Sequence, residues 1–208
     1  MDLPRLLAYD RYSDHDAEGI DEMLGAAYTL AGDVFHPLNQ LGDQVHPHYD
    51  REKDEVVHAE GQVDAMRQYA ESGFHGLVFD YDNGGLQLPL HVASLMRVPF
   101  TAANVGLAGS YMDLSQGVAN MILAHANQDL IDRYIPGLVD GSSYGCMCLS
   151  ETGAGSSLTD LTCKAEPTEE DGTYKLSGNK VNIRCCSRLG NMGGTARAPS
   201  NDISKEAV

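Results

Sequence analysis

Residues 144–162 constrain the fold more than any other stretch, because a short uncharged run leads there into a turn rich in Gly and Ser. The run ends at Glu151 and is too short for a helix of three turns, which favours a buried strand. Gly153 and Gly155 follow, and glycine can adopt positive φ or let a ligand approach the backbone amides. Composition alone favours an ordinary β-turn, but the same turn could cradle a pyrophosphate.

The order of residues in this turn is more specific than its composition. Residues 149–157 read Leu-Ser-Glu-Thr-Gly-Ala-Gly-Ser-Ser and closely resemble the signature of the acyl-CoA dehydrogenases, with Thr152 in place of the usual proline. In that family the segment lines the flavin of FAD, and the resemblance places Ser156 close to the pyrophosphate and the acyl-CoA substrate. The cofactor contacts that the resemblance implies are Met147, Leu149, Ser150, Gly155, Ser156, Asn182, Ile183 and Arg184.

The last three of these positions depart from the family pattern. The family places an aromatic and a hydroxyl side chain against the flavin in a later hairpin, whereas the register here gives Asn182 and Arg184, with Ile183 between them. Beyond Ile183 the chain has no strand period and is rich in Gly, Ser and Ala, which predicts a disordered tail over residues 184–208. A reading-frame shift or a gene truncation near residue 182 would explain the change.

Charge and cysteine usage exclude several classes of protein. The formal net charge of −16 and the pI near 4.6 would repel nucleic acid and anionic membranes. Residues 1–145 carry 22 acids and 7 bases, whereas residues 146–208 carry 8 and 7, so an anionic cofactor suits the second part better. The five cysteines are odd in number and form no C-x-x-C pair, which predicts a reducing cytoplasm. Neither a signal peptide nor an apolar run of about 20 residues is expected.

Helical spacing dominates the sequence up to Gly141. The first amphipathic helix is predicted to begin at Ser13 or Asp14 and to end near His36, before Pro37.

Further helices follow in the same part of the chain. A second helix is predicted over residues 61–72 with Gly73 at C′. Residues 90–139 should form helices with breaks near Pro99, Gly109 and Asn127.

Three further phrases of the helical part resemble the same family. They are Pro-Leu-Asn…Gly-Asp at residues 37–43, Gly-x-x-Gly-Leu at 73–77, and Tyr-Ile-Pro…Gly at 134–141. In the family the last of these motifs lies where the helical domain ends and a β domain begins, which makes Gly141 the predicted boundary. After the turn, residues 161–166 and 174–176 alternate apolar and polar, and turn residues lie between and after them, so an antiparallel meander is expected.

Two competing motifs have weaker support. His46 and His48 with Asp50 could be a metal site, but Pro47 splays the two histidines and the neighbouring charges look like a solvated loop. Residues 141–145 fit G-x-S-x-G, which would make Ser143 a hydrolase nucleophile. That elbow needs a strand before the serine and a helix after it, the reverse of the order predicted here.

The predicted fold class is α+β and mostly α. It comprises a helical N-terminal domain over residues 1–141, the start of an antiparallel β-barrel domain over 142–183, and an irregular tail over 184–208. By resemblance the function is that of a truncated FAD-dependent acyl-CoA dehydrogenase, which would convert an acyl-CoA to the 2-enoyl-CoA but lacks the domain that carries the base. No catalytic residue is therefore assigned, and the chain alone is expected to be inactive.

A second function stays open on the sequence alone. The chain could be a non-catalytic helical binding subunit that a separate chain completes. Unpaired strand edges in an incomplete barrel would favour self-association or such a partner, so a homo-oligomer or a partnered chain is expected.

Overall fold

The computed structural model describes residues 2–169 and 174–181, apart from the side chains of Ser110 and Tyr111. The predicted flavin contacts Asn182, Ile183 and Arg184, and the tail predicted over residues 184–208, lie outside the described residues.

The architecture is mostly helical, as predicted. The helices are α1 Leu3–Leu7, α2 Ala17–Leu30, α3 Pro37–Gln44, α4 Gln62–Glu71, α5 Leu90–Ala103, α6 Val105–His125 and α7 Gln128–Asp140. The strands are β1 His48–Asp50, β2 Glu55–Val57, β3 Lys164–Pro167 and β4 Tyr174–Ser177. They form two antiparallel hairpins, β1–β2 and β3–β4, and within the described residues no barrel closes.

The start of α2 differs from the predicted one by a few residues. Asp16 is the N-cap, and its Oδ1 accepts a hydrogen bond from the Gly19 N–H at 2.7 Å. Ser13 and Asp14, the predicted caps, precede it in a turn. The cap chemistry was correct but its position was not.

The predicted end near His36 agrees with the element limits, because the helical run that starts with α2 ends at Phe35 and α3 starts at Pro37, but the expected non-helical conformation of His36 is wrong. Residues Ala31–Phe35 form a π-helical turn in which the His36 N–H donates to the Ala31 carbonyl at 2.9 Å. His36 keeps helical φ and ψ, and Pro37 becomes the first residue of α3. Because proline lacks an N–H and crowds the carbonyl four residues back, the wider turn makes room for its ring, and Pro37 starts the next helix directly.

The predicted breaks near Pro99 and Gly109 are also wrong, because both residues lie inside helices. The chain breaks at Asn104 instead, where φ is −157°. The Asn104 side chain accepts from the Leu107 N–H at 3.1 Å and donates to the Phe35 carbonyl at 3.3 Å. One side chain thus caps α6 and ties it to the π turn, a tertiary role that local spacing does not reveal.

Other helix limits agree with the sequence. Asn127 caps α7 by accepting from the Leu130 N–H at 3.0 Å, and Gly73 follows α4 with φ of +77°. The β1–β2 hairpin was missed: the charged residues 50–55 were expected to be a solvated loop, but Asp50 pairs with Glu55 and Tyr49 with Val56 across the two strands.

An aromatic cluster forms the centre of the helical core. Phe100 packs edge-to-face on Phe35 and on Tyr69, with ring centroids 5.0 and 4.8 Å apart. The Tyr69 hydroxyl, otherwise deep in the core, donates to the Phe74 carbonyl at 3.1 Å. A second cluster joins α6 to α7 around Ile122 and Ile135. These two clusters fix α4, α6 and α7 as the platform that receives the chain after Gly141.

A membrane-crossing helix is not found in the part of the chain that the structure describes, since none is both long and apolar enough.

Candidate functional site: the Gly-rich turn and its anchors

Gly141 ends α7 in a conformation that only glycine adopts easily. Its φ is +79°, and a Cβ there would lie 2.7 Å from the Ala70 Cβ and would also collide with the His75 ring. The helical platform therefore touches the chain at the point where the sequence places a domain boundary. The boundary itself stays a prediction.

The strand predicted before the turn is not formed. Residues 145–150 form neither helix nor strand and pair with no strand among the described residues. The Gly145 N–H donates instead to the buried Ser115 hydroxyl of α6 at 3.1 Å. A Cβ on Gly145 would lie 2.7 Å from the Val118 side chain, so the backbone lies directly on α6. The apolar run before the turn favours a strand, but here the helix α6, and not a neighbouring strand, lies beside it.

The turn itself closes between Glu151 and Ala154. The N–H of each donates to the carbonyl of the other, at 2.9 Å from Glu151 and 3.1 Å from Ala154. Thr152 and Gly153 form the exposed tip. This bridge makes a tight turn where the sequence predicts one.

The glycines of the turn differ from expectation in one respect. Neither Gly153 nor Gly155 has positive φ, and a Cβ on either would meet nothing within 4 Å. Among the described residues, no hydrogen bond uses the backbone N–H of Thr152, Gly153, Gly155 or Ser156. The turn thus presents unused donors to open space, so its glycines matter for access and not for backbone strain.

Glu151 is the anchor of the turn. The residue is only 6% exposed, and its Oε2 accepts from both the N–H and the hydroxyl of Thr162 at 2.7 Å. Its Oε1 accepts from the Cys163 N–H at 3.0 Å and from the Lys180 ammonium at 2.9 Å. Lys180 also donates to the Leu149 carbonyl at 3.1 Å. One carboxylate therefore joins three separate segments of chain.

These contacts shift two pKa values. The Thr162 backbone N–H foremost, followed by Cys163, Lys180 and the Thr162 hydroxyl, holds the pKa of Glu151 well below its usual range. The same contact with Glu151, and then burial, raises the pKa of the Cys163 thiol. Glu151 is consequently a stable anion and a weak base, and Cys163 is a poor nucleophile.

The β3–β4 hairpin returns the chain to the turn. After β4, the Val181 N–H donates to the Ser150 carbonyl at 2.9 Å. Gly178, with φ of +144°, passes so close to Cys163 that a Cβ would lie 2.9 Å from the Cys163 Cα. The segment leading to the predicted flavin contacts at residues 182–184 therefore starts beside the turn.

The other predicted contacts occupy one stretch but differ in exposure. Met147 and Leu149 are 42% and 44% exposed. Ser150 is half-buried, while Gly155 and Ser156 are exposed. From the sequence we also predict that the hydroxyls of Ser150 and Ser156 converge on one concave surface that would receive the flavin.

Sequence reasoning missed the anchors Ser115, Thr162 and Lys180. Two signals were present. Glu151 is the only charged residue between Asp140 and Asp160, and Lys180 ends the Gly-Asn-Lys segment that starts at Gly178. An isolated carboxylate in an uncharged segment needs a partner when it is buried, and Lys180 is one of the few nearby bases.

The competing motifs gain nothing from the structure. Within residues 2–169 and 174–181, no three His, Cys, Asp or Glu side chains are grouped to hold a metal ion. α7 directly precedes Ser143 and an extended segment follows it, the reverse of a nucleophile elbow.

The order of elements defines the class of protein: a helical domain ends at a C-cap glycine and leads through an open Gly-rich turn into an antiparallel hairpin. A model of the family "Acyl-CoA dehydrogenase, N-terminal domain" matches residues 40–142. The chain is 25% identical over 185 residues to a butyryl-CoA dehydrogenase of Syntrophomonas wolfei, covering 88% of this chain and 30% of that protein. It is 28% identical over 180 residues to 3-methylmercaptopropionyl-CoA dehydrogenase of Ruegeria pomeroyi, covering 86% and 30%.

Solved structures show the same fold. A glutaryl-CoA dehydrogenase in complex with glutaryl-CoA superposes with a TM-score of 0.64 at 20% identity, covering 81% of this chain and 40% of that one. An acyl-CoA dehydrogenase from Bacillus anthracis complexed with FAD gives 0.62 at 20% identity, covering 82% and 27%. The chain belongs to the acyl-CoA dehydrogenase family. It spans about 30% of the length of these two curated relatives.

Proposed function

We propose that this chain supplies the helical domain and part of the cofactor site of an FAD-dependent acyl-CoA dehydrogenase. The observation that carries the proposal is the turn at residues 151–156. Among the described residues no hydrogen bond uses four of its backbone N–H groups, its two glycines have open surroundings, and Glu151 fixes its base. Similarity to structures of PigA with FAD and proline, and of the B. anthracis dehydrogenase with FAD, supports the same cofactor. We place the domain boundary at Gly141 and the protein in the cytoplasm, on the sequence pattern.

The residues present fit a flavin dinucleotide. Free amides at a glycine turn are suited to phosphate oxygens, and nothing near Gly153 or Gly155 blocks an approaching ligand. Met147 and Leu149 offer exposed apolar surface to a flat ring, and the hydroxyls of Ser150 and Ser156 can donate hydrogen bonds. Bound FAD would supply hydride acceptance. The role proposed for this chain is to hold and orient it, with Asn182, Ile183 and Arg184 completing the contacts.

The proposed substrate is an acyl-CoA thioester, with Ser156 close to both substrate and cofactor. The relatives act, by their names, on butyryl-CoA, 3-methylmercaptopropionyl-CoA and isovaleryl-CoA. Because these acyl groups differ in length and branching, the proposal is limited to the thioester class.

We further propose that the 208-residue chain does not catalyse the dehydrogenation by itself. The α-proton needs a base within hydrogen-bond reach of the substrate. Glu151 is the only buried carboxylate among the described residues, and both of its oxygens are already occupied by internal donors. Its lowered pKa also makes it a weak base. The base is therefore assigned to a part of the enzyme other than residues 2–169 and 174–181.

A flavin titration tests the cofactor proposal. The purified chain should quench FAD fluorescence, and Gly155→Ala should weaken binding by about tenfold, because a Cβ obstructs ligand approach to the amides. The same substitution should leave the stability of the free chain within about 0.5 kcal/mol, since Gly155 has open surroundings. Gly25→Ala, an equally open glycine on exposed α2, is the control and should not change FAD binding. A chain that takes up no FAD contradicts the proposal.

The hydroxyl assignment has its own variant. Ser156→Ala should cost about 1.5–3 kcal/mol of FAD binding if the hydroxyl donates to a charged phosphate. Ser94→Ala, on an exposed face of α5, is the control. Equal affinities for wild type and Ser156→Ala would remove Ser156 from the site.

Catalysis is tested with a dye-linked assay, using short, medium and long acyl-CoAs with added FAD. Turnover no higher than a flavin-only blank is expected. Steady turnover by the 208-residue chain would place a base among its own residues.

A non-catalytic binding subunit is the second candidate function. Leu95 and Val98 are about half exposed on α5, and Val105 at the start of α6 is 64% exposed. Exposed apolar side chains of this kind suit contact with another chain, in a homo-oligomer or with a completing partner. A colourless protein that refuses FAD, and that has a mass above 22.4 kDa in light scattering, would favour this candidate.

A further inference from the structure

Glu151 occupies the base of the proposed cofactor turn without facing a ligand. We propose that Glu151 is a positioning residue: together with Lys180 it holds the turn in the orientation that lets its free amides bind the phosphates of the dinucleotide. This inference rests on the flavin placement proposed above, and it assigns to the signature glutamate a role in which it touches protein only.

The hydrogen bonds of the carboxylate exclude direct contact with a ligand. Four donors approach its two oxygens at 2.7–3.0 Å: the N–H and hydroxyl of Thr162, the N–H of Cys163 and the ammonium of Lys180. The Glu151 side chain is 5% exposed and that of Lys180 is 25% exposed. A saturated, buried carboxylate has no oxygen left for a cofactor hydroxyl or ring nitrogen.

The same bonds control the geometry of the turn. The backbone of Glu151 forms the bridge to Ala154, so fixing the carboxylate also fixes one end of the turn. Lys180 adds a bond to the Leu149 carbonyl, and Val181 adds one to Ser150. The residues just before the turn are therefore held from the far side of the hairpin. The tip residues, whose amides are free, have no such restraint of their own.

Loss of this anchor would let the turn sample other orientations. Ordering the freed backbone on binding would then cost conformational entropy, and the amides would no longer be preset toward the phosphates. The expected defect is in binding a phosphate-containing ligand, and it should exceed any defect in binding the ring alone.

Two variants and two matched controls test the inference. Glu151→Gln removes the charge, and its amide N–H₂ would face the Cys163 N–H or the Lys180 ammonium; Lys180→Met removes the cation. Glu166 and Lys175 lie directly opposite each other on β3 and β4, are exposed, and form no ion pair within the described residues. Glu166→Gln and Lys175→Met therefore make the same chemical changes on the same hairpin without touching the anchor.

The readout is the dissociation constant of FAD and of riboflavin, which lacks the pyrophosphate. Glu151→Gln and Lys180→Met should weaken FAD by about ten- to a hundredfold, the scale seen when outer-shell partners of a bound group are removed. Riboflavin binding should change by no more than about twofold, as should FAD binding to both controls. The double variant should lose less FAD affinity than the sum of the two single losses, because both substitutions break the Glu151–Lys180 contact. Lys180→Arg should restore most of the FAD affinity.

The outcomes are separable. A wild-type chain that takes up no FAD overturns the proposed function. If the wild type binds FAD and Glu151→Gln binds it with the same affinity, the positioning role alone is overturned. Equal weakening of FAD and riboflavin binding also overturns it, because it indicates a general loss of structure. If Glu151→Gln fails to fold by circular dichroism, the Lys180→Met and Lys180→Arg pair decides: positioning requires loss in the first and recovery in the second.

Discussion

The backbone N–H of Gly145 donates a hydrogen bond to the side-chain oxygen of Ser115, 30 residues earlier and 3.1 Å away. Ser115 is 1% exposed, so this bond lies in the interior, where α6 meets the extended segment that leads to the turn. The contact holds that segment on α6 two residues before Met147, the first of the predicted cofactor contacts.

Ser115→Ala should destabilise the protein by about 1–3 kcal/mol, because it leaves the buried Gly145 N–H without its acceptor. Urea unfolding followed by far-ultraviolet circular dichroism measures the change. Ser94→Ala on exposed α5 loses a helix-surface hydroxyl of the same kind and should stay within about 0.5 kcal/mol of wild type. Equal effects of the two substitutions would show that the Ser115 bond contributes nothing specific.

The sequence predicts those parts of the fold that depend on local chemistry. Gly73 was predicted from local chemistry as the C′ residue of its helix, and it has positive φ, which glycine tolerates without strain. Gly141, predicted by resemblance as a domain boundary, has positive φ at the end of α7 as well. Pro99 was read as a helix break by the same local rules, and the structure overrides it, whereas the end predicted before Pro37 agrees even though His36 stays helical. A π turn makes room before Pro37, and Pro99 is buried in the packed face of α5. Local rules give the cost of a proline in a helix but not the packing that offsets it.

The candidate site also combines a local feature, which the sequence predicts, with distant contacts, which it does not. The position of the turn follows from a short run of sequence, whereas its anchors are 11 and 29 residues away from Glu151, at Thr162 and Lys180. Spacing in one strand does not say which strand or helix will lie beside it. The segment at residues 145–150 could therefore be predicted to leave the helical domain, but its contact with α6 could not be predicted.

Gly141→Ala should be among the most destabilising single-methyl additions in this chain. It forces a side chain into φ of +79°, which costs about 1–3 kcal/mol, and its Cβ would lie 2.7 Å from the Ala70 Cβ. Gly25→Ala adds the same methyl in exposed α2 with nothing within 4 Å and should stabilise by roughly 0.5–1 kcal/mol. Opposite shifts of the thermal midpoint are expected, and a Gly141→Ala midpoint equal to wild type would contradict the close packing of α4 on the end of α7.

Stability should fall as pH drops from about 6.5 toward 4, partly because of His75. Burial, followed by the charge of Arg97, lowers the pKa of His75 to about 4, while Asp140 opposes the shift. The unfolded chain binds a proton near the usual histidine pKa of 6.5, whereas the folded chain does not until about 4, so protonation favours unfolding across this window. The loss between pH 7 and pH 5 should be about 2 kcal/mol from this group.

The test compares urea unfolding of wild type and His75→Phe at pH 7 and pH 5. Phenylalanine keeps a ring against Tyr69 and Tyr144 but cannot titrate, so the variant should lose less stability on acidification. His58, whose pKa is also lowered by burial, contributes in the same direction and remains in both proteins. Parallel pH profiles for the two proteins would show that His75 titrates normally.

The lowered pKa of Glu151 should make the stability of the chain depend on pH below 4.5. Its hydrogen bonds to Thr162 and Cys163 and its ion pair with Lys180 favour the carboxylate, so its pKa in the folded chain lies well below the usual 4.5. The stabilisation is present in full above 4.5 and is lost as pH falls below that value, because the unfolded chain then takes up a proton that the folded chain refuses. The stability difference between wild type and Glu151→Gln should therefore be greatest near pH 7 and shrink below pH 4.5. Carboxyl-carbon NMR gives the direct measurement: the Glu151 signal should stay that of the ion at about pH 3, one unit below the mean pKa of glutamates in folded proteins. Glu166→Gln, at an exposed position on β3, should show no such convergence. A Glu151 signal that titrates near 4.5 would mean that the buried anchor does not hold in solution, and the turn would then lack the fixed base on which its proposed cofactor role depends.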